Sequence, residues 1–327
     1  MNCDKKSIVA LVLPLVLGTV LIIVILIAVI VSLIISKRFK EKERKANEGK
    51  VIFKMDASDV VFDHEDGGAV FNKTELTFNT EDNQNLLKIK EETEDVICIG
   101  NNSTKTMKVQ ISMKDDTIKF QIRATPPIVT LKRGFACEFH VFVKPLCTCR
   151  IEDSIKVIVL NMSKGEQKEI EIPVRFETEL STLLDPDELI EEKKLGEGSF
   201  GIVFLGQFRG NRVAIKRMKG VADNEKQMEE FEKEVAMLDK FRSDVCVHFY
   251  GACFIPGKIC MVTEFAQYGS LQDLMNKRKN DPIPKKMQLK LMMDVAQGIA
   301  YLHVNDILNR DIKTDNMLVI TLEENVK

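Results

Sequence analysis

Residues 8–35 form an uncharged apolar run, and this run restricts the structure of the chain more than any other feature. At about 1.5 Å per residue, a helix of this length exceeds the roughly 30 Å hydrocarbon core of a bilayer. The run is too long for the apolar part of a signal peptide, and no small-residue cleavage site follows it. Pro14 and Gly18 would break a soluble helix but are tolerated in a bilayer. We therefore predict a transmembrane helix over residues 8–35.

The basic residues on either side of this run predict its orientation. Lys5 and Lys6 precede it, whereas a larger basic set follows it: Lys37, Arg38, Lys40, Lys42, Arg44 and Lys45. The positive-inside rule then predicts a single-pass membrane protein, with a short non-cytoplasmic tail at residues 1–7 and with residues 36–327 in the cytoplasm. The basic linker at residues 36–50 is either a contact for anionic membrane lipid or an ordinary solvated charge run, and the sequence leaves both open.

The composition bears on the class of binding partner and on the cellular compartment of the protein. The net charge of −2 gives no reason to expect nucleic acid as a partner. The eight cysteines lack the paired spacing of a zinc site and agree with a reducing compartment, where we expect most of them to be buried free thiols. Glycosylation sequons begin at Asn72, Asn102 and Asn161. A cytoplasmic location would leave these three sequons unmodified.

Residues 51–178 predict an all-β sandwich. Runs such as "EFHVFVK" and "EIEIPVRF" alternate apolar and polar positions, and polar turn residues separate them. The order "GNNSTKTMKVQISM", then "PPIVTLKRGFACEFHVFVKPL", resembles the major-sperm-protein-like branch of the immunoglobulin-like sandwiches. The region carries no catalytic constellation, and His64 and His140 are interpreted as structural residues. We expect a docking or spacing module with a protein partner that the sequence does not identify.

Residues 187–327 contain a series of motifs whose order is more informative than any one of them. "LGEGSFGIVFLG" places three glycines between apolar runs, where the backbone can approach phosphates. "VAIK" follows and ends in Lys216, which can reach the phosphates. Next comes an amphipathic helical pattern with Met228, Phe231, Val235 and Leu238 on one face. "ICMVTEFAQYGSL", "KKMQLKLMMDVAQGIAYLH" and "ILNRDIKTDNMLV" complete the series.

Together these motifs resemble the α+β protein kinase fold, with a glycine loop, a strand lysine, a helix glutamate, a hinge and a catalytic loop. "HFYGAC", "MVTEF" and "YGSL" are similar to the tyrosine-kinase-like group. The order of transmembrane span, basic linker and kinase resembles the receptor-type transmembrane kinases of amoebae. The resemblance implies ATP and Mg²⁺ as cofactors and proteins as substrates.

The resemblance also implies where ATP binds. Apolar side chains would sandwich the adenine, the backbone of Glu264 and Ala266 would hydrogen-bond its edge, and Thr263 would be the small residue at the back of the pocket. The implied ATP-binding residues are Leu195, Gly196, Gly198, Gly201, Val203, Ala214, Lys216, Thr263, Glu264, Ala266 and Leu318.

The same resemblance assigns the catalytic roles. Asp311 would accept or orient the proton of the substrate hydroxyl, and Lys313 would steady the transferred phosphoryl group. Glu234 would pair with Lys216, and Asn316 would ligate one Mg²⁺. Lysine two residues after the aspartate is the serine/threonine-kinase pattern, so Ser/Thr hydroxyls are the expected acceptors.

Two departures from the family pattern affect the expected activity. Asn309 replaces a structural histidine, and we expect it in an apolar column with Leu238 and Phe249, where an unsatisfied amide costs roughly 1–3 kcal/mol. The chain also ends at Lys327, before the Asp-Phe-Gly segment that the family would supply. We therefore expect a kinase fold truncated inside its C-lobe, which binds nucleotide but does not phosphorylate.

Two functional hypotheses follow from these departures. The first is a membrane-anchored protein kinase, present here as a truncated chain. The alternative is a catalytically inactive nucleotide-pocket pseudokinase, or scaffold, that docks partners through the sandwich.

Overall fold

The computed structural model describes residues 30, 31, 34, 37, 38, 49–78, 86–113, 117–199, 201–221, 225–241 and 243–322. The predicted transmembrane run lies outside these residues except for Ile30, Val31 and Ile34, which are helical. In the part of the chain that the structure describes, no helix combines the length and apolar character needed to cross a membrane. The transmembrane helix therefore stays a prediction.

The first region is built from strands and is called here the two-sheet region, Ile52–Thr178. Its strands in the described residues are β1 (Ile52–Lys54), β2 (His64–Asp66), β3 (Ala69–Phe71), β4 (Leu76–Thr77), β5 (Leu86–Leu87), β6 (Thr93–Asn101), β7 (Met107–Ser112), β8 (Phe120–Thr125), β9 (Ile128–Leu131), β10 (Phe135–Pro145), β11 (Arg150–Asn161) and β12 (Gln167–Thr178). One sheet has the order β2-β3-β6-β10-β1, with β8 also paired to β10. The other has the order β4-β12-β11-β7-β9, with β5 also paired to β12.

The two sheets share one hydrophobic core. In β10 the side chains of Phe139, Val141 and Val143 are fully buried, and in β12 Ile172 and Val174 point to the same core. Because neighbouring side chains in a strand point to opposite faces, this burial confirms the alternation predicted for both runs. The classification of the region as immunoglobulin-like or major-sperm-protein-like stays a prediction.

The second region is a five-stranded antiparallel sheet followed by helices. Its strands are β13 (Leu189–Glu197), β14 (Gly201–Phe208), β15 (Asn211–Met218), β16 (Phe249–Cys253) and β17 (Cys260–Glu264), in the order β13-β14-β15-β17-β16. The helices are α1 (Glu225–Leu238), α2 (Leu271–Lys277) and α3 (Lys285–Val304). Helix α1 lies between β15 and β16 in sequence and contacts β16 in space.

Helix α1 packs on the sheet through the face that its sequence predicts. Phe231 and Val235 are buried in a cluster with Phe249 and Met261 of the sheet. Met228 and Leu238, at the remaining positions of the predicted stripe, pack against the same cluster and are partly buried. The three- and four-residue spacing of apolar positions therefore predicted this helix correctly.

Helix α3 keeps most of its apolar side chains accessible. Leu289, Met292 and Met293 are 62%, 69% and 59% exposed, and Met287 is the buried residue of this helix. Within the described residues, much of the apolar face of this helix is therefore uncovered. Six of the seven described cysteines are buried, and all seven are free thiols, which also agrees with the prediction.

Candidate active site

Strand register places several predicted ATP-binding residues on one face of the five-stranded sheet. Val203 of β14 lies opposite Lys216 of β15, and Ala214 of β15 lies opposite Thr263 of β17. Directly opposed residues and residues two apart in a strand point to the same face. The side chains of Val203, Ala214, Lys216 and Thr263 therefore share one face, although they come from three strands. The opposite face carries Ile215 and other residues of a separate core cluster.

The glycine turn between β13 and β14 borders this face. A Cβ atom built on Gly196 or Gly198 would meet no atom within 4 Å, so this part of the turn faces open space. The Gly198 N–H donates to the Gly201 carbonyl at 2.9 Å, which closes the turn. The absence of side chains at these two positions leaves room for a phosphate to approach the backbone.

Gly201 has a different structural reason to be glycine. A Cβ atom at this position would lie 2.1 Å from the carbonyl oxygen of Arg217 in the neighbouring strand β15. Any side chain would therefore force β14 and β15 apart at the point where Gly201 pairs with Met218. The close approach of the two strands accounts for this glycine without a contact to a phosphate.

The hinge follows β17 and is connected to the segment after the catalytic loop. Glu264 ends β17, and its N–H donates to the His248 carbonyl at 2.9 Å. The Ala266 carbonyl accepts a hydrogen bond from Gly269 at 3.1 Å, while the Ala266 N–H has no acceptor among the described residues. Ala266 therefore has a backbone donor available for the edge of a base.

Backbone pairing brings Leu318 to the hinge side of the site. The Leu271 N–H donates to the Met317 carbonyl at 2.7 Å, and the Val319 N–H donates to the Gly269 carbonyl at 2.9 Å. Leu318 lies between these contacts, in a bridge with Ser270. Leu318 and Leu195, two of the apolar residues predicted to sandwich the adenine, are both exposed in this structure.

The catalytic loop brings three predicted residues together. The Oδ2 atom of Asp311 lies 2.8 Å from the Lys313 Nζ and 2.8 Å from the Asn316 Nδ2. The Asn316 Nδ2 also donates to the Asp311 carbonyl at 2.8 Å, which fixes the loop around the carboxylate. Hydrogen bonds from Lys313 and then Asn316 lower the pKa of Asp311, and the same Asp311 contact raises the pKa of Lys313. Asp311 is therefore an exposed, ionised acceptor beside a cation.

Asn309 is placed differently from the prediction. It was expected in an apolar column with Leu238 and Phe249, but it is exposed, and its Oδ1 accepts a hydrogen bond from the Asp311 N–H at 2.9 Å. Phe249 is instead buried against helix α1. The physical reason is that a short amide side chain bonds readily to the backbone two residues ahead. That Asx spacing, Asn309 before Asp311, was the sequence signal for this contact.

Lys216 and Glu234 lie on different elements. Lys216 is partly buried on β15, whereas Glu234 is exposed on helix α1, beside the buried face formed by Phe231 and Val235. The pairing of Glu234 with Lys216 stays a prediction.

The residues at the loop are compatible with a magnesium ion but do not form a complete cage. No group of three or more His, Cys, Asp or Glu side chains arranged for a metal occurs within the described residues. The Asn316 Nδ2 is directed to Asp311, so the Oδ1 is the atom that suits a cation. Mg²⁺ usually binds through one or two carboxylate or amide oxygens plus water and phosphate oxygens, so this donor set fits it.

An antiparallel sheet with one packed helix, a hinge and an Asp-Lys-Asn loop is the arrangement of the protein kinase class. Residues 189–327 match the protein tyrosine and serine/threonine kinase family. This part of the chain, called the kinase segment below, is therefore similar to that family, and its relatives include proteins named as serine/threonine-protein kinases.

Three relatives illustrate the similarity. A probable serine/threonine-protein kinase of Dictyostelium discoideum is 38% identical over 163 residues, which is 49% of this chain and 18% of the relative. The dual specificity protein kinase shkB of the same organism is 36% identical over 172 residues, 51% of this chain and 25% of the relative. The putative serine/threonine-protein kinase/receptor R818 of Acanthamoeba polyphaga mimivirus is 37% identical over 139 residues, which is 42% of this chain and 8% of the relative. The chain thus spans a quarter or less of each relative's length.

Proposed function

We propose that this chain is part of a membrane-anchored serine/threonine protein kinase that binds ATP with Mg²⁺ and transfers the γ-phosphoryl group to protein hydroxyls. The observation that carries this proposal is the Asp311–Lys313–Asn316 cluster, held next to a segment that pairs with the hinge. These residues supply a hydroxyl acceptor, a phosphate-directed cation and a metal-ligating oxygen in one loop.

The proposed ATP site uses the shared face of the sheet. Val203 and Ala214 would contact the adenine, Thr263 would lie behind it, and the Ala266 N–H would donate to its edge. Lys216, two residues along β15 from Ala214, would reach the phosphates as a cation. Gly196 and Gly198 carry no side chain, so the phosphates could approach the backbone of the turn closely.

In the proposed transfer, bound Mg²⁺ would offset the charge that develops on the transferred phosphoryl group. Asp311 would orient the acceptor hydroxyl and take its proton. The lowered pKa of Asp311 keeps its carboxylate ionised at neutral pH. The ionised carboxylate would both hold the hydroxyl in position and accept its proton. The Nζ of Lys313 lies 2.8 Å from the Oδ2 of the same carboxylate and would steady the transferred group.

Two observations support hydroxyls of serine and threonine as acceptors. Lys313 follows Asp311 by two residues, which is the serine/threonine-kinase pattern, and several relatives are named as serine/threonine-protein kinases. The name of one relative describes a dual specificity kinase, so tyrosine is the other acceptor to be tested.

Membrane anchoring is proposed from the sequence. The uncharged run at residues 8–35 and the basic residues after it support a single span with residues 36–327 in the cytoplasm. The basic linker at residues 36–50 would then lie close to anionic lipid headgroups. The name of the mimivirus relative includes the word receptor, which agrees with this arrangement.

The phosphotransfer proposal is tested with the protein of which this chain is a part, [γ-³²P]ATP, Mg²⁺ and a mixed protein acceptor, followed by phosphoamino-acid analysis. We expect label on phosphoserine and phosphothreonine and a loss of at least about a hundredfold in rate for Asp311→Asn, because general-base and positioning contributions are of this size. Lys156→Met, in an exposed ion pair of the two-sheet region, is the matched control. Nucleotide binding without any transfer would instead support the pseudokinase or scaffold hypothesis.

A further inference from the structure

The backbone of the segment between the two regions forms hydrogen bonds to both of them. On one side, the Thr148 N–H of the two-sheet region donates to the Leu183 carbonyl at 2.7 Å. On the other side, the Ala252 N–H of β16 donates to the Thr182 carbonyl at 2.8 Å, and the Leu184 N–H donates to the Ala252 carbonyl at 2.9 Å. The segment thus continues the kinase sheet by a parallel bridge between Leu183 and Ala252. It covers the edge that β16 would otherwise expose.

Gly251 shows how closely this segment approaches β16. Its φ is +149°, and a Cβ atom there would lie 2.3 Å from the Thr182 carbonyl oxygen and 2.8 Å from the Leu184 side chain. Glycine is therefore required by both the backbone conformation and the contact. Because residue 251 is glycine, the edge strand β16 can lie this close to the Thr182–Leu184 segment.

Apolar packing also crosses the boundary. Leu184 is almost fully buried in a cluster with Phe208, Ile215 and Val262 of the kinase sheet. Leu146, which follows β10 of the two-sheet region, is partly buried against the same cluster. One hydrophobic core therefore includes side chains of both regions and of the segment that joins them.

A charged network crosses the same boundary. The Nζ of Lys119, in the two-sheet region, lies 2.7 Å from the Asp185 Oδ2 and 2.7 Å from the Asp187 Oδ2. Asp187 is in turn 3.0 Å from the Nζ of Lys258, in the loop between β16 and β17. The side chains of Lys119 and Asp185 are only 20% and 10% exposed. Although burial disfavours its charge, hydrogen bonds to Asp185 and Asp187 raise the pKa of Lys119.

We infer that the two-sheet region and the five-stranded sheet β13–β17 form one structural unit and unfold together through this linker clasp. The linker clasp is defined as the backbone pairing of Thr182–Leu184 with Thr148 and Ala252, together with Lys119, Asp185, Asp187 and Lys258. A change in the stability of the two-sheet region is therefore transmitted to β16 and β17, the strands that precede the hinge. This inference goes beyond the proposed function and does not depend on nucleotide binding.

The composition of the chain supplies a probe confined to the kinase segment. The sequence has no tryptophan, and its three tyrosines, Tyr250, Tyr268 and Tyr301, all lie after the linker. Tyrosine fluorescence during urea unfolding therefore reports on the kinase segment alone. Far-UV circular dichroism reports on both regions, because most of the strands lie in the two-sheet region.

The test uses a mild core variant in the two-sheet region, which contains no tyrosine. Ile172→Val, in the core of the two-sheet region, is expected to lower the urea midpoint of the tyrosine signal by about 0.3 M, because removal of one buried methylene destabilises the coupled unit. In a Lys119→Glu background, which places a third negative charge beside Asp185 and Asp187, the tyrosine midpoint should no longer respond to Ile172→Val. Lys156→Glu, which reverses an exposed lysine of the same region, is the matched background and should preserve the response.

Two results would overturn the inference. One is a tyrosine midpoint that Ile172→Val leaves unchanged while circular dichroism shows earlier loss of strand structure. The other is an equal response to Ile172→Val in the Lys119→Glu and Lys156→Glu backgrounds. If Lys119→Glu fails to fold, Lys119→Met removes the same contacts without adding a negative charge and is judged by the same two criteria.

Discussion

The two-sheet region and the kinase segment differ in how completely they cover their apolar side chains. In the first, the inward residues of both sheets form one core in which Phe139 and Val141 are fully buried. In the second, the sheet has a separate core on each face, and Leu289 and Met292 of α3 are mostly exposed. The comparison shows that the first region is self-contained, whereas the kinase sheet obtains part of its core from the linker and from Leu146.

The largest expected effect on stability is the difference between removing a buried and removing an exposed apolar side chain. Phe139→Ala should lower the free energy of unfolding by about 3–5 kcal/mol, because it leaves a large cavity in a closed core. Met292→Ala removes a side chain of comparable length that is already exposed, so it should change stability by no more than about 0.5 kcal/mol. Urea unfolding followed by circular dichroism measures both. Equal losses for the two variants would contradict the contrast in burial.

A smaller effect is expected where the kinase sheet meets the linker. Gly251→Ala should cost about 2–3 kcal/mol, since it combines a positive φ with a clash against the Thr182 carbonyl. Gly257→Ala is the matched control, because Gly257 also has a positive φ of +77° but has open space around the Cβ position. It should cost only about 1 kcal/mol from backbone strain. Tyrosine fluorescence during unfolding distinguishes the two, and a control at least as damaging as Gly251→Ala would count against a close linker contact.

The smallest effect is the pH dependence of the linker clasp. Hydrogen bonds from Lys119 and then Lys258 lower the pKa of Asp187, so its contribution to stability is present above its unfolded pKa and is lost as the pH falls through the lower folded pKa. The urea midpoint of the tyrosine signal should therefore fall on acidification below about pH 4. Because Asp187 is 57% exposed, the change should be small. Asp187→Asn should flatten this part of the profile, and an unchanged profile would argue against the contact.

Sequence patterns correctly predicted those strands and helices whose buried face depends only on the spacing of their own apolar residues. The alternation in β10 and β12 and the stripe of α1 are examples, because each depends only on the geometry of one element. The proximity of Asp311, Lys313 and Asn316 was implied by the family resemblance, since these residues are close in sequence. The same patterns failed at Asn309, where a local backbone contact replaced the expected apolar packing.

Contacts between distant parts of the sequence were beyond what patterns could predict. The linker carries no strong strand signal, and its pairing depends on where β16 and Thr148 come to lie in three dimensions. Gly201 was assigned to phosphate binding because it belongs to a glycine motif, but its contact with the Arg217 carbonyl becomes visible only when β14 and β15 are paired. The ion pair of Lys119 with Asp185 likewise spans 66 positions in the chain.

The measurement that tests the central claim most directly is titration of the full chain, kept in detergent micelles, with Mg·ADP by calorimetry. We predict saturable binding at one site, with a loss of affinity of at least about tenfold for Lys216→Met, because a phosphate-directed cation is removed. Lys156→Met should bind as the unchanged chain does. Absence of binding, or equal affinity for Lys216→Met and the unchanged chain, would contradict a nucleotide site on the shared face of Val203, Ala214, Lys216 and Thr263.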